Sequence, residues 1–473
     1  MPEERVIDRL ATFKSLPEWL AAPMRPERVA QSLVQHVPEL ADGRVRLLDC
    51  AADRLRAKGT EWLVRYSIRV ADASMGAVRD VVLVGNLWSP LAEAAPATAD
   101  GRPFGRPGWA CWLPDLRLAL RAQAMDEALP ALPRLTEPAA VAELLEPLVR
   151  ATGHPDASIT ACEPVVVRYK PGSRCTVVVQ VSYAPGRSTP PSPIVVKTHQ
   201  GDKGEVAWAA MNALWERPGT WRRVVQLAEP IAYVPKDRIL VQGPVPGAST
   251  LKVLVREAVA SGDPTRLSLL RDRLVQTARG LAAIHRSGAS YGLPATFEDE
   301  LAEVQEVVDR LSFSVPALAD AAEPMLQWLA ERSGTVPPDP IVAAHHDFRP
   351  AQVLLHEDGV GFIDFDGACM AEPALDVGRF RANLRDIGIS TVDVTRGGPR
   401  VEATLSLLDD LCEHFLQAYL AYAEVSPTRV LLWECRDLFM TVLHAWTKVR
   451  LARVEPRLVN LVHGLRTSGL LER

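Results

Sequence analysis

Residues 341–376 read IVAAHHDFRPAQVLLHEDGVGFIDFDGACMAEPALD. An apolar lead-in over 341–344 runs into His345-His346-Asp347, and Gln352 follows five residues after Asp347. A short strand-like run at 353–355, the turn Glu357-Asp358-Gly359 and a return run at 360–363 predict a β-hairpin. The return strand delivers Asp364 and Asp366 at its end. Two carboxylates at a strand end, with a third in the loop before the hairpin, are costly to bury unless a metal or a proton-transfer task uses them.

The spacing resembles the catalytic core of the aminoglycoside phosphotransferase and choline kinase family, a branch of the protein-kinase-like fold. His345 and Asp347 match the first two positions of its H-x-D-x-x-x-x-N motif, and Asp364 matches the later Asp. Gln352 stands at the Asn position. It keeps the amide oxygen on a side chain one methylene longer, and some relatives, the maltokinases among them, carry Gln there. The resemblance implies that Asp347 takes the proton of an acceptor hydroxyl, that Asp364 and Gln352 hold Mg²⁺, and that Asp366 is either a further metal ligand or a residue that supports the ligands from behind. It also gives Arg349 the task of offsetting charge on the transferring group, His345 that of bracing the loop, and Asp376 a supporting role. ATP or GTP is the implied co-substrate.

Working outward, the family pattern needs a sheet that holds nucleotide phosphates. Lys197 closes the run Ile194-Val195-Val196, where an unpaired ammonium would be costly. The resemblance makes it the phosphate-gripping lysine, paired with a helix glutamate; Glu205 is the candidate and Glu216 the alternative. The turn Lys170-Pro171-Gly172-Ser173-Arg174 offers Gly172 for a tight backbone and Ser173 and Arg174 as phosphate donors. Gln242 and Gly243 end the last strand of this sheet and would meet the adenine, Pro244 having no N–H. Helices are expected from 250 onward, with His285 in a structural role. If Glu402, Asp409, Asp410, Glu413 and Glu434 faced inward, they would favour a cationic or polyhydroxyl acceptor.

The first part of the chain repeats this β pattern. Aligning Cys50 with Cys162 also aligns Arg56 with Arg168, Lys58 with Lys170 and Gly85 with Lys197, a constant shift of 112 residues. The first copy lacks both the lysine and the helix that follows it. It reads as a degenerate duplicate of the nucleotide-binding sheet, packed as a cap with the helix expected at 139–152 and the second sheet covering its apolar face. The fold class is therefore α+β: a protein-kinase-like bilobal fold with an antiparallel β N-lobe (156–246) and a mostly helical C-lobe (247–473), preceded by an extra N-terminal α+β cap (1–155).

Composition bounds the rest. The net charge of -5 argues against a general nucleic-acid binder, and no apolar run reaches the length of a membrane span. The opening MPEERVIDRL has no apolar core of a secretory signal, and the seven cysteines form no C-x-x-C pair. Free thiols and a cytoplasmic location are expected. The expected partner is a small-molecule acceptor such as an aminoglycoside, sugar or amino alcohol. The alternatives are a kinase-like enzyme acting on a peptide in natural-product tailoring, and a scaffold with a weakly active core.

Overall fold

The structure is a computed structural model that describes residues 8–14, 16–58, 61–73, 76–90, 102–106, 108–123, 126, 128–217 and 219–467. In chain order it begins with α1 (Pro26–His36) and the strands β1 (Val45–Lys58), β2 (Glu61–Asp72), β3 (Val78–Leu87), β4 (Ala110–Leu113) and β5 (Leu118–Ala122). After α2 (Pro138–Ala151) come β6 (Ile159–Lys170), β7 (Arg174–Tyr183), β8 (Ile194–His199) and α3 (Lys203–Trp215). The short β9 (Gln226–Leu227), β10 (Pro230–Val234), β11 (Ile239–Gln242) and β12 (Ser249–Thr250) lead into α4 (Leu251–Ser261) and α5 (Pro264–His285). Next are β13 (Pro294–Ala295), α6 (Phe297–Ser312), α7 (Ala317–Thr335), β14 (Val342–Ala344), β15 (Val353–His356), β16 (Gly359–Phe362) and β17 (Cys369–Ala371). The chain ends in α8 (Pro373–Ile389), α9 (Pro399–Leu420), α10 (Pro427–Thr447) and α11 (Leu451–Thr467). The Pro/Ala-rich loop expected over 89–108 lies for the most part outside the described residues.

Two compact units emerge. One comprises residues 1–125, 298–332 and 438–473; the other comprises 126–297 and 333–437. Each holds a five-stranded antiparallel sheet of the same strand order, β1-β2-β3-β5-β4 in the first and β6-β7-β8-β11-β10 in the second. The register repeats as well. Gly85 pairs with Val64, and Lys197 pairs with Thr176. Both partners are shifted by the same 112 residues as the sequence repeat. The same holds for Leu63 with Asn86 against Cys175 with Thr198. The two sheets thus share strand order and register at the 112-residue offset.

The first sheet buries every second residue of β2: Trp62, Val64, Tyr66, Ile68 and Val70. Its covering elements differ from those expected. Within this unit α1 packs on β1 and β4. The Trp62 indole donates to Ser314 Oγ at 3.0 Å, and the Tyr66 hydroxyl donates to the Pro23 carbonyl at 2.7 Å. Phe13 meets Phe439 and Trp446 edge-on, each at 6.2 Å between ring centres, and α11 packs on the turn Ala11–Lys14. Segments from far along the chain, 298–332 and 438–473, thus join the first unit. The linker helix α2 lies elsewhere. Its Val141, Leu144, Leu145 and Val149 share a core with Val177, Val179 and Val196 of the second sheet. An apolar helix goes to the nearest unpaired sheet face, and β6 follows α2 directly in the chain.

The second unit continues into a helical lobe in which α5 packs on α9 and α4, and α8 packs on the same two helices. Two small sheets cross it, β12-β15-β16-β9 and β13-β17-β14. The hairpin expected around Gly359 is β15–β16, with His356 opposite Gly359.

At Gly85 the space that a lysine occupies in the second sheet is filled. A Cβ there would lie 2.7 Å from Leu120 Cδ2 and 2.8 Å from Leu118 Cδ1. Gly85→Lys is expected to destabilise the first sheet by about 1–3 kcal/mol through overpacking, seen as a lowered thermal unfolding midpoint. An unchanged midpoint would contradict the packing described.

Candidate active site

The site grows from the loop between β14 and the following 3₁₀ turn Pro350–Gln352. His345 is fully buried. Its backbone N–H donates to Asp376 Oδ2 at 2.7 Å, and its Nε2 donates to the Ile363 carbonyl at 3.0 Å. Its ring lies against Phe365 at 4.5 Å. One imidazole thereby ties the loop bearing Asp347 to the strand end bearing Asp364. Asp376, on the first turn of α8, also accepts from His285 Nε2 at 3.1 Å, and Tyr419 Oη lies 2.7 Å from His285 Nδ1. Burial acts to raise the Asp376 pKa; the His285 bond and the two nearby imidazoles outweigh it and hold the group below the usual carboxylate range. Asp376 and His285 therefore support the loop, as read from the sequence.

Asp347 Oδ2 accepts from Arg349 Nη2 at 2.8 Å and from Gln352 Nε2 at 3.2 Å. The same Gln352 amide donates to Asp364 Oδ2 at 3.0 Å. Gln352 thus bridges the loop carboxylate and the strand-end carboxylate. Asp364 sits at φ +75°, a left-handed conformation that Asp tolerates better than most residues, and this turns its side chain into the cluster.

Asp364 and Asp366 are nearly inaccessible, yet both stay charged because three basic side chains surround them. Arg174 Nη1 donates to Asp364 Oδ1 at 2.9 Å and to Asp366 Oδ2 at 2.6 Å. Lys197 Nζ donates to Asp364 Oδ1 at 3.1 Å and stands 3.6 Å from Asp366 Oδ1. His199 Nε2 is 3.0 Å from Asp366 Oδ2. Burial pushes both carboxyl pKa values up, but Lys197 and Arg174 carry Asp364 well below the usual range, and Lys197 and His199 lower Asp366. Burial likewise pulls at Lys197 and Arg174, and the two aspartates raise both cations.

Several expectations are corrected by these contacts. Glu205 and Glu216 are exposed on or beside α3, and the carboxylates paired with Lys197 are Asp364 and Asp366. The Gly172 N–H donates to Asp126 Oδ2 at 2.8 Å, beside the Tyr169 hydroxyl at 2.8 Å on the same oxygen. The Ser173 N–H donates to the Lys170 carbonyl at 3.0 Å. The turn's backbone donors are thus engaged, and Arg174 is the group it aims at the site. Gly243 N–H donates to the Glu229 carbonyl at 2.8 Å, while Gln242 is buried at the end of β11. The helix acids are offset rather than bare: Glu434 accepts from Arg381 at 2.6 Å and Arg385 at 2.5 Å, and Asp409 accepts from Arg385 at 2.5 Å. Glu402, Asp410 and Glu413 are exposed.

Sequence reasoning missed His199, although its two-residue spacing from Lys197 on a strand was a usable signal. It also missed Arg379, which bonds the His346 carbonyl and donates through Nε to Asp437 at 2.7 Å. Its place three residues after Asp376 on α8 put it one turn on, close to the same loop.

Among the described residues no group of three or more His, Cys, Asp or Glu is arranged to hold a metal. Mg²⁺ characteristically takes one or two protein oxygens and completes its shell with phosphate and water. Asp364 offers one such oxygen; Gln352 meets it through Nε2, so the Gln352 oxygen would join it only with the amide turned over.

The lysine of a five-stranded sheet, a loop carboxylate and a strand-end carboxylate are thus drawn into one cluster. Residues 221–424, the span that carries the loop and the strand-end pair, match the model of the APH phosphotransferase enzyme family. No curated protein matches the chain. Among solved structures it is similar to a glucosamine kinase at 18% identity, covering 96% of this chain and 98% of that one with a TM-score of 0.47. It is similar to a choline/ethanolamine kinase family protein from Mesorhizobium loti at 14% identity, covering 61% and 89% with a TM-score of 0.41. An aminoglycoside phosphotransferase, APH(4)-Ia, gives 11% identity, 68% and 98% coverage and a TM-score of 0.43. At such identities and scores the chemistry rests on this chain's own residues. No helix among the described residues is long and apolar enough to cross a membrane.

Because the folded pKa of Asp364 is depressed, its contribution to stability is fully present above the unfolded carboxylate value of about 3.9 and is lost as pH falls through the lower folded value. Asp364→Asn, which keeps the backbone conformation accessible, is expected to cost about 3–5 kcal/mol at pH 7 by leaving buried cations unmatched. Urea unfolding at stepped pH should show this gap closing below about pH 4. A gap that stays constant down to pH 3 would contradict the charge assignment.

Proposed function

We propose that this protein transfers the γ-phosphoryl group of ATP, or of GTP, to a hydroxyl of a small molecule. The observation that carries the reading is the contact of Gln352 with both Asp347 and Asp364, which puts a candidate base and a candidate metal ligand on one side chain. The family match over 221–424 supports it.

In this reading Asp347 positions the acceptor. Arg349 and Gln352 occupy its Oδ2, and none of the described contacts engages Oδ1, which is the oxygen offered to the acceptor hydroxyl. The new bond joins the acceptor oxygen to the γ-phosphorus. The bond from that phosphorus to the β–γ bridging oxygen breaks, the hydroxyl proton goes to Asp347, and ADP leaves. Lys197 and Arg174 hold phosphate oxygens, and Arg349 offsets charge on the transferring group. Asp364 and Gln352 would hold Mg²⁺, which when bound neutralises phosphate charge. Positioning and charge neutralisation are the main demands of this chemistry, and these residues supply both.

The helix acids give no support for a polycationic acceptor, since Glu434 is buried and offset by Arg381 and Arg385, and Asp409 is offset by Arg385; the acceptor proposed is a polyhydroxyl small molecule such as a sugar. A screen of γ-labelled ATP against sugars, amino sugars, aminoglycosides, amino alcohols and peptides tests this. Transfer to a sugar-like acceptor is the expected result. Label appearing only on peptides would instead support the tailoring alternative. Asp347→Asn should keep nucleotide affinity and lose turnover by about a hundredfold or more; near-normal turnover with the true acceptor would exclude Asp347 as the base.

A further inference from the structure

Lys197 and His199 lie two residues apart on β8 and so face the same side of the sheet. Both are buried, 7% and 2% exposed. A buried lysine that grips phosphates needs a fixed counter-ion, or its ammonium drifts among rotamers. Helix α3 does not supply one. Its Glu205 is exposed, and the residue it turns toward His199 is Gly204. A Cβ on Gly204 would lie 3.3 Å from His199 Nδ1 and 3.0 Å from the Tyr233 ring.

Asp366 occupies the vacant role. Its Oδ2 lies 3.0 Å from His199 Nε2 and 2.6 Å from Arg174 Nη1. Its Oδ1 is buried with no hydrogen-bond partner and stands 3.6 Å from Lys197 Nζ. Asp364 is nearer to Lys197, at 3.1 Å, but its other oxygen faces Gln352 and the catalytic loop. Against burial, which lowers the Lys197 pKa, the charges of Asp366 and Asp364 both raise it, and Asp364 adds a hydrogen bond. His199 has a single visible task, since Nε2 meets Asp366 and Nδ1 is buried without a partner.

We propose that Asp366, oriented by His199, is the counter-ion that fixes Lys197 for the nucleotide phosphates, and that His199 is a positioning residue for it. The inference rests on the nucleotide-binding reading above and gives Asp366 a task different from metal ligation. A carboxylate that positions Lys197 acts on the nucleotide whether or not a cation is present. A carboxylate that holds a cation acts only when the cation is there.

That difference makes the test. ADP binding to the full chain is measured by calorimetry in EDTA and again in Mg²⁺, for the wild type, His199→Ala and His199→Gln. Gln retains an N–H that can reach Asp366. His199→Ala is expected to weaken ADP about tenfold in both conditions and His199→Gln by no more than about threefold. Weakening that appears only with Mg²⁺ would show that Asp366 serves the cation and overturn the proposal. Unchanged affinity in His199→Ala would overturn it as well. If His199→Ala loses its cooperative thermal transition, His199→Leu fills the same space without a donor and carries the same expectation. A wild type that binds no ADP in either condition would bring down the nucleotide reading itself, an outcome distinct from the other two.

Discussion

Two aspartates buried at the end of one strand govern this structure. Asp364 and Asp366 could not stay ionised in so inaccessible a place without Lys197, Arg174 and His199 around them. That requirement fixes where β7 and β8 must lie relative to β16, and so joins the second five-stranded sheet to the helical lobe within the second unit. Removing either side of the cluster leaves buried charge unmatched, which is far costlier than losing an exposed ion pair. The cluster is therefore at once a packing device and the centre of the proposed chemistry.

Around it the helical lobe uses the same principle repeatedly. Arg379 is held by Asp437, Arg381 and Arg385 by Glu434, and Arg429 by Glu372, which also accepts from the Trp433 indole at 2.7 Å. These pairs link α8 and the residue before it to α10. Buried pairs of this kind are weak sources of net stability, but they penalise any misregistered packing of the two helices. The consequence for function is a catalytic loop whose backbone has little freedom: His345 and His346 are gripped from α8 by Asp376 and Arg379.

Much of this was legible in the chain itself. The spacing of His345, Asp347, Gln352 and Asp364 was readable because loop and hairpin are contiguous in sequence and a strand end fixes where its last side chains go. Lys197 was readable from the apolar run it terminates. The repeat at 112 residues was readable because strands paired in the same register carry the same alternation. What escaped was long-range. Nothing local to Lys197 says that its carboxylates come from 364 and 366 and not from the next helix. The N–H groups of Gly172 and Gly243 looked free because their acceptors, Asp126 and Glu229, lie outside the turns that contain them. The segments that join the first unit, 298–332 and 438–473, come from far along the chain, and amphipathicity alone does not name a helix's partner.

In the proposed function, Asp364 is the carboxylate through which the site takes a metal-bound nucleotide. The direct measurement is the affinity for a non-hydrolysable ATP analogue as a function of Mg²⁺ concentration, in the wild type and in Asp364→Ala. The account predicts that Mg²⁺ strengthens binding to the wild type by about tenfold or more and that Asp364→Ala loses this increment, since no other ligand of full charge replaces it. Equal strengthening by Mg²⁺ in both proteins would contradict it.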